Sequence, residues 1–192
     1  MQTLIDLFQT FAALGDKTAF VNRTGVRRLE VSYRELHVLA LKMANLLALG
    51  GVAPGDRVLI WGPNSSWWAV AYWGIIIRGA IAVPVDFMSD PARAESIRGH
   101  TRAKVVLQSR FKPERMTAAT SLLLEDLQYL LEEIQPIGEL ASVAPEDTAQ
   151  LIYTSGMLDP KYPLQQQMRR EIDLALKDAD LVPMRRQIRA EE

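Results

Sequence analysis

The chain has 192 residues, 48% of them hydrophobic and 23% charged, which is enough to bury the core of one domain. Its formal net charge of −1 excludes a global electrostatic attraction to nucleic acid or anionic lipid, so we expect no nucleic-acid partner. Cysteine is absent, which excludes disulfides, thiol catalysis and cysteine-ligated zinc sites and is consistent with the cytoplasmic location that we expect.

The first predicted elements are a packing helix and an antiparallel hairpin. Residues 18–22 and 28–31 indicate two strands joined by a turn. Before them, helical spacing of apolar residues predicts an amphipathic helix with one packed face, formed by Leu4, Leu7, Phe8, Phe11 and Leu14.

A longer helix follows the hairpin and carries signals at both ends. Ser32, with Glu35 three residues later, is the capping-box pattern of a helix start. Gly50 and Gly51 are typical of a left-handed helix end. Between these ends an apolar stripe predicts that one face lies in the core, formed by Leu36, Leu39, Ala40, Met43, Leu46 and Leu47.

Residues 66–85 are apolar except for Ser66 and Arg78, and the stretch has the length of a membrane-spanning helix. Gly79 and Pro84 interrupt it, and its second half is rich in valine and isoleucine. We therefore predict a buried helix followed by a buried strand, and no transmembrane segment.

Strands and helices alternate through the middle of the chain. We expect strands at 57–61, 80–86 and 104–109, separated by helices at 67–78 and 90–100. Parallel strands need such crossover helices. The predicted fold class is therefore α/β, with layered helices around a mostly parallel sheet.

The remaining elements are less regular. Residues 121–127 indicate a fourth strand, 127–134 a helix, and the apolar run TAQLIY before Thr154 a further strand. The pattern changes after Gly156, so we divide the chain into an α/β subdomain at 1–156 and a divergent, short helical tail at 157–192.

The strongest chemical motif follows the last predicted strand. Thr154, Ser155 and Gly156 form a turn whose hydroxyl and backbone N–H groups could donate to phosphate, while glycine permits close approach. Lys161 would add one cation, as lysines do in phosphate loops. The plain alternative is an ordinary loop with a solvated surface lysine.

Other candidate groups have simpler interpretations. We expect His37 and His100 to be packing or surface histidines, because neither has a matched carboxylate or serine partner in the pattern. Glu125 and Asp126 are interpreted as a solvated face rather than paired catalytic carboxylates. The tryptophans are interpreted as core or buried interface rather than a stacking platform, namely Trp61, Trp67, Trp68 and Trp73.

Several blocks of the sequence together resemble the adenylate-forming (AMP-binding) superfamily, which includes acyl-CoA synthetases, peptide-synthetase adenylation domains and luciferases. The blocks are the YREL helix start at 33–36, the PGDRV turn at 54–58, Pro63-Asn64, the GAIAVP strand at 79–84 and DTAQLIYTSG at 147–156. The resemblance covers about residues 15–156 and implies the N-terminal part of an acyl-CoA synthetase-like protein, in truncated form.

The resemblance implies a reaction and its cofactors. A carboxylic acid, such as a fatty acid, is activated by ATP and Mg²⁺ to an acyl-adenylate and is then transferred to coenzyme A. Thr154, Ser155 and Gly156 match the start of the family's phosphate loop, and Lys161 matches its end if one residue is skipped. The chain departs from the family between them, where Met157, Leu158 and Asp159 replace small residues, and at Tyr162, which replaces a glycine.

Three functional hypotheses follow. The first is a truncated ligase that does not catalyse the reaction alone, because no counterparts of the family's later site residues can be placed. The second is a non-catalytic interaction module, a homo-oligomer formed through exposed apolar surface or the predicted helices of the tail. The third is a remnant that still binds ATP.

Overall fold

The N-terminal part of the fold is a pair of short helices and a hairpin. The computed structural model describes residues 3–24, 27–112, 115–116 and 119–153. The predicted first helix is divided at Thr10 into α1 (Leu4–Gln9) and α2 (Phe11–Leu14). The predicted hairpin is confirmed as antiparallel strands β1 (Thr18–Thr24) and β2 (Arg27–Ser32).

Helix α3 (Tyr33–Leu49) begins and ends as its sequence predicts. The N–H of Ser32 donates to Glu35 Oε2 over 2.8 Å, and the N–H of Glu35 donates to Ser32 Oγ over 3.2 Å, which completes the capping box. At the other end, Gly51 takes the left-handed conformation at φ 78°, and the N–H of Val52 donates to Leu47 over 2.9 Å. This is a Schellman end, which satisfies the last carbonyl groups of the helix.

The centre of the molecule is a four-stranded parallel sheet in the order β4-β3-β5-β6. Its strands are β3 (Arg57–Trp61), β4 (Ile81–Val85), β5 (Val105–Gln108) and β6 (Thr120–Leu123). Helices α4 (Ser66–Ile77) and α5 (Pro91–Thr101) lie in the crossovers between successive strands. The predicted parallel α/β sheet is therefore confirmed, with β3 as a central strand.

Both faces of this sheet are buried, as a parallel sheet requires. Along β3, Val58 and Ile60 enter one core, which α1 to α4 cover, while Leu59 and Trp61 enter a second core on the opposite face. Helix α5 covers the second face through Ala94 and Ile97. This alternation explains why β3 has a continuous apolar sequence.

The apolar stretch at 66–85 divides as predicted into the 12-residue helix α4 and strand β4. Within the described residues, no helix has both the length and the apolar character needed to cross a membrane. A side chain added at Gly74 would overlap the Met43 side chain, so this glycine allows α4 to pack closely on α3.

Two predicted elements are shorter than expected. The helix expected at 127–134 is reduced to α6 (Leu127–Leu130), which follows a 3₁₀ turn at Leu124–Asp126. The prediction of a strand before Thr154 is wrong. The described part of this segment forms only one isolated bridge, between Gln150 and Ala82 of β4. The predicted helical tail lies outside the described residues.

Proline explains why that bridge is not extended. Ala82 makes two backbone hydrogen bonds on the side of β4 that faces away from β3. Its N–H donates to the carbonyl of Ala149 over 3.0 Å, and its carbonyl accepts from the N–H of Leu151 over 2.8 Å. The next residue of β4 that faces the same way is Pro84, which has no N–H to donate. The ladder therefore stops after Leu151.

Candidate functional site

The carboxyl ends of β3, β4 and β5 meet at one edge of the sheet. A groove of about 380 Å³ opens there between the end of β4 and the start of α5, and it is lined by Pro84, Val85, Asp86, Met88, Ser89, Asp90, Arg93, Ile97 and Tyr153. This is the position at which open parallel sheets bind ligands.

The loop that forms the floor of the groove is fixed by its own carboxylates. Asp86 Oδ1 accepts from the N–H of Met88 over 2.9 Å, and Asp90 Oδ1 accepts from the N–H of Arg93 over 2.8 Å as the N-cap of α5. With two carboxylates and one guanidinium, the groove offers a phosphate group no net electrostatic attraction. Phosphate binding would therefore depend on residues beyond the groove lining.

Lys112 follows β5 at the same edge of the sheet, and its side chain contacts residues at the ends of β3 and β4. Its Nζ lies 4.6 Å from the ring centroid of Trp61 and 4.5 Å from that of Phe87, and it donates to the carbonyl of Ser89 over 3.2 Å. Trp61 is completely buried, as the core interpretation of this residue predicts. The ammonium group therefore packs on aromatic rings at the carboxyl end of the second core.

The interpretation of Glu125 and Asp126 as a solvated face holds for Asp126, whose side chain is 42% exposed, but not for Glu125, whose side chain is 25% exposed and hydrogen-bonded. Glu125 accepts from Ser109 Oγ over 2.6 Å and from the N–H of Arg110 over 2.9 Å. The Arg110 guanidinium also donates to Asp126 Oδ1 over 2.7 Å. The two carboxylates therefore stabilise the turn that follows β5.

Residues 149–153 run beside β4 toward the groove and are held from both faces of the sheet. On one face, the Tyr72 hydroxyl of α4 donates to Gln150 Oε1 over 3.1 Å. Burial raises the pKa of Tyr72, so this hydroxyl keeps its proton. On the other face, Tyr153 Oη and His100 Nδ1 of α5 are hydrogen-bonded at 2.8 Å.

The pair of His100 and Tyr153 was not expected from the sequence, where no serine or carboxylate partner for the histidine could be identified. The two residues are 53 positions apart, so no local spacing indicates their contact. His37 behaves as a packing residue, as expected. Its ring stacks on Phe8 with centroids 4.6 Å apart, and burial lowers its pKa.

The predicted phosphate-binding residues Thr154, Ser155, Gly156 and Lys161 lie outside the described residues. Tyr153, which precedes them, is part of the groove lining. Within the described part of the chain, no group of three histidine or carboxylate side chains could hold a metal ion.

Comparison with protein families identifies the fold. The model of the family described as AMP-binding enzyme matches residues 7–156. The chain belongs to the AMP-binding enzyme family. The predicted resemblance to adenylate-forming enzymes is therefore confirmed.

Two curated members of this family illustrate its range. The chain is 28% identical to phenyloxazoline synthase MbtB of Mycobacterium sp. (strain MCS) over 149 residues, which cover 78% of the chain and 12% of the synthase. It is also 28% identical to probable CoA ligase CCL6 of Humulus lupulus over 141 residues, which cover 70% of the chain and 21% of the ligase. The chain thus spans less than a quarter of either relative.

A solved structure shows the same fold. The N-terminal subdomain of Klebsiella oxytoca NpsA, in complex with 3-hydroxyanthranilyl-AMSN, superposes with a TM-score of 0.68 at 21% sequence identity. The superposition covers 81% of this chain and 38% of that one. The fold is accordingly that of the N-terminal subdomain of adenylate-forming enzymes.

Proposed function

We propose that this chain carries the phosphate-binding part of an acyl-CoA synthetase, an AMP-forming acid–thiol ligase. The observation that supports this is the path of residues 149–153. They run parallel to β4 and reach the groove at the carboxyl edge, so the segment that follows Tyr153 begins where a sheet of this kind binds its ligand.

In this proposal, Thr154 and Ser155 donate hydroxyl and backbone N–H groups to the terminal phosphates of ATP. Gly156 allows the backbone to approach them, and Lys161 adds a positive charge. Mg²⁺ accompanies the nucleotide, as the family implies. Because the groove itself is not cationic, these four residues carry the phosphate contacts.

The reaction proposed for the whole enzyme has two steps. A carboxylate oxygen of the acid attacks the α-phosphorus of ATP, the bond to the bridging oxygen breaks, and pyrophosphate leaves. The sulfur of coenzyme A then displaces AMP from the acyl carbon. The likeness to a CoA ligase supports coenzyme A as the acceptor, although the phenyloxazoline synthase matches with equal identity. We expect residues 1–192 alone to bind ATP without turning it over.

Calorimetry with ATP–Mg²⁺ tests the binding. We expect Thr154→Val and Ser155→Ala each to weaken ATP binding about tenfold, the effect of one charge-assisted hydrogen bond. Ser142→Ala is the matched control, because Ser142 is an exposed serine that lines neither groove. Absence of binding heat from the wild-type chain would overturn the proposal. Pyrophosphate release with a panel of fatty and aromatic acids tests for turnover.

One observation favours the alternative of an interaction module. Beside the edge strand β6, an apolar groove of about 280 Å³ is lined by Leu46, Leu47, Leu49, Gly50, Val105, Thr120 and Leu122. Leu49 is 71% exposed, and β6 pairs on one side only among the described strands. In this alternative the occupant is a second copy of the chain. Sedimentation at several concentrations decides, because a monomer throughout would contradict it.

A further inference from the structure

The end of the segment at 149–153 is held differently from its start. Backbone pairing with β4 ends at Leu151, because Pro84 provides no further N–H. Tyr153 is held instead through its side chain, whose ring packs against the second core and whose hydroxyl bonds His100 Nδ1 at 2.8 Å.

The helix that carries His100 is a fixed support. Helix α5 is capped at its start by Asp90, and its inner face is buried through Ala94 and Ile97, both below 2% exposed. The rings of His100 and Tyr153 also meet edge to face, with centroids 5.7 Å apart and planes at 81°. A hydrogen bond together with a ring contact restricts both the position and the rotation of the tyrosine.

We propose that His100 is a positioning residue, which holds Tyr153 and thereby fixes where the chain enters the segment 154–156. This inference rests on the proposed function, in which that segment contacts the phosphates of ATP. Its action is indirect, since His100 contacts Tyr153 and not the nucleotide.

Amide hydrogen exchange at residues 151–156 of the 192-residue chain tests the positioning itself. Tyr153→Phe removes only the hydroxyl, and His100→Phe keeps a ring while removing the nitrogen. We expect each change to speed exchange at these amides about threefold to tenfold, the loss of one hydrogen bond. The double variant should be no faster than either single variant. Tyr129→Phe, an exposed tyrosine of α6, is the matched control.

Rescue separates positioning from mere packing. His100→Asn places a hydrogen-bonding atom near the position of Nδ1, so we expect it to restore most of the protection that His100→Phe removes. Urea unfolding of each variant shows whether an effect is global. If amides 151–156 exchange at the unprotected rate in the wild-type chain, or exchange equally in Tyr153→Phe, the positioning role is overturned.

Binding of ATP–Mg²⁺ by the same variants connects the pair to the site. We expect Tyr153→Phe and His100→Phe to weaken ATP binding about threefold to tenfold and His100→Asn to stay near the wild type. A wild-type chain that binds no ATP overturns the proposed function, while the exchange data still decide the positioning. If Tyr153→Phe binds ATP as tightly as the wild type although its amides exchange faster, the link between the positioning of Tyr153 and ATP binding is overturned.

Discussion

The carbonyl of Ala82 accepts a hydrogen bond of 2.8 Å from the N–H of Leu151, and the pairing goes no further along β4. We predict that Pro84→Val extends the ladder, because it restores an N–H that faces the carbonyl of Leu151. The amide at position 84 should then exchange at least about tenfold more slowly than an unprotected one. Pro63→Val, in the loop after β3, controls for the loss of a proline. Rapid exchange at position 84 would contradict the explanation.

Removal of the Lys112 charge should loosen the carboxyl edge. We predict that Lys112→Met destabilises the chain by about 1 kcal/mol, because the cation over Trp61 and Phe87 is lost while the aliphatic stem is largely kept. Lys112→Arg should cost less, since a guanidinium also binds ring faces. Urea unfolding measures both variants. Equal losses in the two variants would indicate packing rather than charge.

Arg102 ends α5 in the left-handed conformation, at φ 52° and ψ 42°. A non-glycine residue is strained there, so we predict that Arg102→Gly stabilises the chain by about 1 kcal/mol. Arg102→Ala keeps the Cβ and the strain, and it should change stability by less than about 0.5 kcal/mol. The midpoint of urea unfolding separates the two. Equal stability of the two variants would show that a Cβ in this backbone conformation costs no stability, which would contradict the prediction.

The capping box of α3 should make the free energy of unfolding depend on pH. Hydrogen bonds from the backbone N–H and the hydroxyl of Ser32 hold the pKa of Glu35 below its usual range. A lowered folded-state pKa stabilises the fold above the unfolded value of about 4.3, and the contribution is lost as the pH falls through the folded value.

Glu35→Gln tests this term. We predict that the wild type is more stable than the variant by about 0.5 kcal/mol at neutral pH, a small difference because the carboxylate is exposed. The difference should decrease as the pH falls below the unfolded value of about 4.3. Unfolding at pH 7 and pH 3 measures it, with the exposed Glu132→Gln as control. A difference as large at pH 3 as at pH 7 would contradict the assignment.

Much of the fold could be predicted because its signals are local. The Ser32–Glu35 box, the Gly50-Gly51 end and the apolar run of β3 each lie within a few residues and indicate their element directly. The order of the elements then required parallel strands with crossover helices. The strand expected before Thr154 failed because its pairing partner, β4, presents Pro84 at the position that would extend it.

The α/β class, the family and the four candidate phosphate-binding residues could all be inferred from the amino-acid sequence, and the binding role of those residues stays a prediction. The folded molecule revealed three sets of contacts that the sequence did not indicate: His100 with Tyr153, Glu125 with Ser109, and Lys112 with Trp61 and Phe87. These partners belong to different elements. The contacts of Glu125 and Lys112 arise where neighbouring strands end, whereas His100 of α5 meets the segment that runs beside β4. A local pattern cannot encode such a contact, because it depends on strand order and register, which are settled only when the core packs.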